Sequence, residues 1–144
     1  MTPAANATIC VDASVAVSLL MVQDHPVQAI WHAWVKAKRE LICPALLPFE
    51  VVNAIHQYQR HGRISSLTAL QLVGTLNLLP LAVKTPAQLH ERAIHLAVAQ
   101  GAAATYDAHY VALAALYGAE LWTCDRRLAT RFAPAYPAIH VIEA

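Results

Sequence analysis

The stretch T-Y-D-A-H-Y-V-A-L-A-A-L-Y-G-A-E-L-W-T-C-D-R-R-L, residues 105–128, decides the fold. Thr105 to Tyr117 is rich in alanine and leucine, with neither proline nor glycine inside it. It reads as a helix closed on its C-terminal side by Gly118. Glu120 to Cys124 is then a short strand ending in Asp125, and a short helix follows. Helix, glycine, strand, carboxylate, helix is the rhythm of a parallel α/β sheet.

The same rhythm holds to either side. Thr8 to Asp12 is a short apolar run ending in a carboxylate, followed by a helix over Ala13 to Val22. His25-Pro26 opens a second helix to about Lys38, with Trp31, Trp34 and Val35 spaced as one buried stripe. Leu41 to Cys43 is a strand stopped by Pro44. Pro48 stands in the first turn of a third helix that ends at His61-Gly62. Ser65 or Ser66 caps a fourth helix to Leu79-Pro80. Leu81 to Lys84 is a strand, Thr85-Pro86 starts a helix to Gln100-Gly101, and Ile139 to Ile142 is the last strand. Without repeat or linker, the chain is expected to form one three-layer α/β/α domain over residues 1–144, with a mostly parallel central sheet of four to five short strands.

Composition narrows the function classes. Of 144 residues, 58 % are apolar and 13 % charged, which excludes a disordered chain. Alanine accounts for 29 positions, so much of the apolar excess is small, helix-favouring surface. The longest charge-free stretch, Ile64 to Ala82, is broken by eight polar, glycine or proline positions and lacks the ~20 apolar residues of a membrane span. Asp12 sits inside the first apolar run and no basic segment precedes it, so a signal peptide is not expected. The apolar surplus points instead to an interface with a second copy or a partner. A net charge of +1 gives no bulk electrostatic case for nucleic-acid binding, although a local patch would not register in it. Cys10, Cys43 and Cys124, odd in number and set in apolar segments, read as reduced thiols of a cytoplasmic protein.

With nine acidic residues in all, their placement matters. Asp12 and Asp125 end strands, so in a parallel sheet both emerge at the carboxyl edge, where ligands bind. Glu50 and Asp107 fall in the first turns of helices that start at that same edge. Each residue has a local explanation: Asp12 and Asp125 as N-caps, Glu50 and Asp107 as partners of a helix dipole. Together they suggest more. Glu50 lies among Phe49, Val51 and Val52, and Asp107 among apolar or aromatic neighbours, so both are expected to face inward. No lysine or arginine lies within three residues of Asp12, Glu50 or Asp107. Clustered carboxylates need neutralising, and a hard cation with oxygen ligands, Mg²⁺ or Mn²⁺, is the natural partner.

Four segments then form a pattern: V-D-A-S-V at 11–15, P-F-E-V-V-N-A at 48–54, Y-D-A-H-Y-V-A-L-A at 106–114 and W-T-C-D-R-R-L at 122–128. They resemble the four motifs of the PIN-domain ribonucleases. Their order, spacing and total length resemble the VapC-type toxins of bacterial and archaeal toxin–antitoxin pairs. The third motif is the most distinctive, and the segment between Ile64 and Pro86 has no counterpart in the pattern. The resemblance implies a metal-dependent endoribonuclease acting on single-stranded or loop RNA and leaving 5′-phosphate and 3′-hydroxyl ends. Asp12, Glu50, Asp107 and Asp125 would be the catalytic residues and would hold Mg²⁺ or Mn²⁺. It also implies a cognate antitoxin as partner, whose tail lies across the acidic crevice, and a homodimer.

Supporting residues follow from position. Asn53, three residues after Glu50 on one helix face, is placed to orient it. Thr123, on the same side of its strand as Asp125, and Ser14, beside Asp12, are placed to hydrogen-bond a carboxylate or to cap backbone locally. His109, two residues after Asp107, is a candidate supporting group, and Arg126 and Arg127 are candidates to hold RNA phosphates or to pair with Asp125. The eight histidines do not form a zinc site of the H-E-x-x-H type. His90 and His95 stand five apart, as do His56 and His61, and such pairs diverge by about 140° on a helix.

Three other readings compete. A PIN nuclease of RNA processing, without a toxin role, differs only in its partner. A phosphotransfer domain also gathers aspartates at strand ends, but the haloacid-dehalogenase pattern needs an Asp at position 14, which is Ser. A receiver needs a late lysine, and none follows Lys84. A catalytically silent binding module would not need all four acids.

Overall fold

The computed structural model describes residues 7–144. Residues 1–6 of the expected domain lie outside the described residues. Five strands, β1 (Ile9–Val11), β2 (Leu41–Cys43), β3 (Ala82–Val83), β4 (Glu120–Thr123) and β5 (Ile139–Val141), form one sheet in the order β3-β2-β1-β4-β5. Every pairing is parallel, with Cys10 opposite Ile42 on one side and Leu121 on the other. The strands are short because each spends its apolar residues in the centre of the sheet and stops at a polar or proline residue: Asp12, Pro44, Cys124-Asp125.

Seven helices are present among the described residues: α1 (Ala13–Met21), α2 (Pro26–Lys36), α3 (Leu46–Arg60), α4 (Ser66–Leu78), α5 (Leu89–Ala99), α6 (Tyr106–Tyr117) and α7 (Arg126–Phe132). Strands β1, β2 and β3 are laid down in one direction and β4 and β5 in the other. Right-handed crossovers therefore place α1–α4 on one face and α5–α7 on the opposite face. The packing agrees: α1 contacts α2, α3 and α4, whereas α6 lies between α5 and the β1–β4 pair and touches α7. The expected α/β/α class holds, with five strands.

Helix ends follow their sequence signals. His25 caps α2 in a reciprocal box with Gln28, with Pro26 at the first helical position. Ser65 caps α4 by accepting from Thr68 N–H at 3.1 Å. Gly118 ends α6 in the left-handed region at φ 59°, where an L side chain is disfavoured. Two boundaries differ from expectation. α3 begins at Leu46, two residues before Pro48, since any first-turn position lacks an intrahelical N–H bond for proline to forfeit. α5 begins at Leu89 rather than at Thr85-Pro86, which lead into it through a turn at Ala87-Gln88.

The core runs through the sheet, with Ile9, Val11, Ile42 and Leu121 buried between layers and Tyr110, Leu113 and Phe132 packed from the α6–α7 side. Cys10 and Cys43 are buried and Cys124 half-buried, and all three are free thiols. Burial pushes the Cys10 thiol well up and the Cys43 thiol up to about 11. The order reversal between β1 and β4 creates a switch point at the carboxyl edge of the sheet, the place where open α/β sheets hold ligands.

Candidate active site

Asp12 follows β1 directly at this switch point and is 4 % exposed. It is the N-cap of α1, its Oδ1 accepting the Val15 N–H at 3.3 Å. Ser14 Oγ donates to Asp12 Oδ1 at 2.5 Å, and Thr123 Oγ1, at the end of β4, donates to Asp12 Oδ2 at 2.6 Å. The same Thr123 oxygen accepts the Asp125 N–H at 2.9 Å, and Ser14 Oγ accepts the Cys124 N–H at 2.8 Å. Two hydroxyls thus lace the end of β1 to the end of β4, and Asp12 is locked among them.

Asp125 is half-buried and is itself the N-cap of α7, accepting from Arg127 N–H at 2.9 Å and Leu128 N–H at 3.4 Å. The local capping explanation therefore describes both strand-end aspartates, and it leaves the second oxygen of Asp125 uncommitted to the helix. Glu50 projects from α3, where Tyr110 of α6 donates its hydroxyl to Glu50 Oε1. Asp107 stands in the first turn of α6. Glu50 and Asp107 share a recess of about 310 Å³ with Ala102–Ala104, Tyr106, Arg131 and Phe132.

Two expectations about these acids are corrected. Because α3 starts at Leu46, Glu50 lies in its second turn, away from the unbonded N–H groups, and not in the first turn. Nor do apolar neighbours turn the acids fully inward: Asp107 is exposed and Glu50 half-buried. Phe49 is 75 % exposed and Val52 also faces out, so of the apolar residues around Glu50 only Val51 joins the core.

Electrostatics couple the four residues. Burial raises the Asp12 carboxyl to about 6; hydrogen bonds from Ser14, Thr123 and Val15 oppose this, and the Asp107 charge adds to it. Asp107 is also raised, first by partial burial of its carboxylate in the recess although the residue as a whole is exposed. The charges of Asp125 and Glu50 raise it further, while Arg131 and Arg127 pull it down. Tyr110 is pushed far up by burial and by its bond to Glu50, which keeps it a proton donor.

Among the supporting residues, Asn53 is exposed and makes no hydrogen bond to Glu50 among the described residues: one helical turn separates them, but Tyr110 already holds the Glu50 oxygen. His109 turns away from Asp107, bonding the Thr105 carbonyl at 2.7 Å through Nδ1 and His90 at 2.9 Å through Nε2. Arg126 is paired with Glu143 instead of Asp125. Arg127 is exposed beside Arg131 in a cleft of about 460 Å³. Two residues escaped the sequence reading. Tyr110 looks like an ordinary core aromatic. Arg131 looks like a last-turn cation of α7, yet it lines both the recess and the basic cleft, its Nη1 held by Gly101 O at 2.9 Å and Gln100 O at 3.4 Å. An unpaired cation following the W-T-C-D-R-R-L segment by three residues was the available signal.

The donor set is anionic and all oxygen, the chemistry that a hard divalent cation takes. None of the four carboxylates is in a salt bridge among the described residues. As the side chains stand, Asp12, Glu50 and Asp125 are held by hydrogen bonds of their own, and no three His, Cys, Asp or Glu side chains among the described residues converge on one point. The fit to Mg²⁺ or Mn²⁺ is thus one of charge and donor type: carboxylates that repel one another, one of them buried, and none of them in a salt bridge among the described residues.

Comparison with known proteins agrees with this architecture. The family model of the PIN domain matches residues 9–132. Ribonuclease VapC3 from Pyrobaculum aerophilum is 32 % identical over 126 residues, which is 86 % of this chain and 94 % of that relative. The crystal structure of PAE2754 from Pyrobaculum aerophilum matches with a TM-score of 0.65 at 28 % identity, covering 87 % of this chain and 79 % of that one. Mycobacterium tuberculosis VapC20, a sarcin–ricin-loop-cleaving toxin, shares the fold with a TM-score of 0.62 at 17 % identity, over 85 % of this chain and 94 % of its own. The chain belongs to the PIN-domain family and is akin to its VapC-type ribonucleases.

Proposed function

We propose that this chain is an endoribonuclease dependent on Mg²⁺ or Mn²⁺ that cuts single-stranded or loop RNA, and that it is the toxin of a toxin–antitoxin pair. One observation supports this reading above the others: acidic side chains gathered at the switch point of the sheet, where burial and neighbouring acidic charges raise Asp12 and Asp107, with none of the four carboxylates in a salt bridge among the described residues. The likeness to Ribonuclease VapC3 supports the nuclease chemistry and the toxin role.

In this reading Asp12, Glu50, Asp107 and Asp125 are the catalytic residues and would hold the cation. When bound, the cation supplies a Lewis acid for the phosphate and activates the attacking water. Ser14 and Thr123 keep the Asp12 carboxylate fixed and tie it to the backbone of Asp125, so the two strand ends cannot drift apart. Tyr110 restrains Glu50. Arg127 and Arg131 receive the flanking phosphates, since Arg126 is engaged by Glu143. The chain then needs no Ser, Cys or His nucleophile.

The whole chain acts as one PIN domain, in the cytoplasm and as a homodimer. Bulky apolar side chains left exposed on α3 (Phe49, Val52), α4 (Leu67, Leu70, Leu78) and α5 (Ile94, Val98) are the surfaces for the second copy and the antitoxin. No described helix is long and apolar enough to cross a membrane.

Sequencing of RNA fragment ends after brief expression, wild type against Asp107→Asn, tests the proposal. New 5′-phosphate ends at defined sites in the wild type alone are expected. The same ends in both strains would refute it.

A further inference from the structure

A second concavity adjoins the acidic recess. It measures about 470 Å³ and lies between the exit of β2, the approach to α5 and the first turns of α6. Pro44, Leu46 and Pro86 are part of its apolar lining, and three rings also line it: Tyr106, His90 and His109. Tyr106 belongs to both cavities, for it also lines the recess that holds Glu50 and Asp107. Its ring is 60 % exposed although it begins a helix whose following residues are mostly buried.

The two imidazoles are in an ordered state. The Thr105 carbonyl can only accept, so His109 Nδ1 carries the proton of that 2.7 Å bond. His109 Nε2 meets His90 Nδ1 at 2.9 Å. His90 Nε2 makes no hydrogen bond among the described residues, and His90 lines the cleft. The rings meet edge to face, at 5.1 Å and 67°.

We propose that this cleft is a nucleobase subsite, which takes the base beside the phosphodiester lying in the acidic recess. The inference rests on the nuclease reading and deepens it by naming what sets sequence preference. Single-stranded RNA is recognised by splayed bases that stack on aromatic side chains and are read at their edges. Here the stacking surface is Tyr106, the apolar floor is Pro44, Leu46 and Pro86, and the edge reader is the unbonded Nε2 of His90. A phosphate does not suit the cleft, because no lysine or arginine lines it, whereas the basic cleft with Arg127 and Arg131 borders the recess through Arg131. A base and its phosphate therefore find their matching chemistry in adjoining cavities.

The test uses the full isotope-labelled chain in EDTA, titrated by NMR with the four nucleosides, which have no phosphate for the arginines to bind. Saturable millimolar shifts at His90, His109 and Tyr106 are expected for at least one nucleoside. Ala87→Trp, an exposed position on the cleft wall, is expected to weaken them about tenfold. In cleavage of a randomised RNA, the same variant is expected to lose the wild-type base preference beside the cut while still cutting. No shifts, or shifts that Ala87→Trp leaves unchanged, overturn the inference. So do cleft resonances that move with protein concentration and not with nucleoside, which would seat a second copy of the chain there. Nucleoside binding in a protein that cuts no RNA would instead overturn the nuclease reading, so the two failures are distinguishable.

Discussion

Replacing Asp12 by asparagine is expected to stabilise the metal-free protein at neutral pH while removing its activity. Asp12 is 4 % exposed, and burial raises its carboxyl from 3.8 to about 6. Between those values the folded chain binds more protons than the unfolded chain, so stability falls as pH rises through this window and is level above it. A shift of about two units at 1.36 kcal/mol each amounts to about 3 kcal/mol in full, of which about 2.4 kcal/mol is lost between pH 4 and pH 7. Asparagine does not ionise, and it retains a carbonyl to accept from Thr123 or Ser14. Urea unfolding of wild type and Asp12→Asn in EDTA, at pH 4 and pH 8, measures the difference directly. The advantage of the variant should grow by about 2.4 kcal/mol between the two pH values. In the wild type, saturating Mn²⁺ at pH 8 should recover a large part of it. A difference that does not change with pH would refute the claim that Asp12 is a buried carboxylate whose burial outweighs the hydrogen bonds it accepts.

Thr123→Val keeps the shape of the β4 end but removes the donor to Asp12 and the acceptor for Asp125 N–H. It should cost about 1–3 kcal/mol in urea unfolding, more at pH 8 than at pH 5, and it should raise the Asp12 carboxyl further. Gly118→Ala meets no atom within 4 Å, so its cost is conformational alone: about 1 kcal/mol of stability with unchanged activity per folded molecule. Arg131→Gln should raise KM for RNA with a smaller effect on kcat, and should flatten the salt dependence of binding by roughly one phosphate contact.

The sheet and the strand-end acids were legible because parallel topology makes one edge common to every strand. Once Thr8–Asp12 and Glu120–Asp125 read as strands, Asp12 and Asp125 had to emerge together. Gly118, Ser65 and Pro26 marked helix ends through backbone chemistry that acts locally. Orientation was less legible. Phe49 and Val52 suggested an inward-facing Glu50, but in sequence an exposed apolar residue reads the same as a core residue. Pro48 marked the first turn of α3 without fixing which position of that turn it occupies. Contacts between helices that are distant in sequence were invisible. Tyr110 reaches Glu50 across 60 positions, and His90 meets His109 across 19. Arg131 reaches the recess only because α7 packs beside α6.

Cleavage of a single-stranded RNA by the purified protein with Mg²⁺ or Mn²⁺, compared with Asp107→Asn, tests the central claim most directly. Asp107 is exposed, so its replacement leaves the core untouched and the loss of activity is not a loss of folding. Metal-dependent cleavage is expected that EDTA stops and that Asp107→Asn abolishes, at a thermal stability no lower than that of the wild type. Cleavage that persists in the variant or in excess EDTA would contradict it.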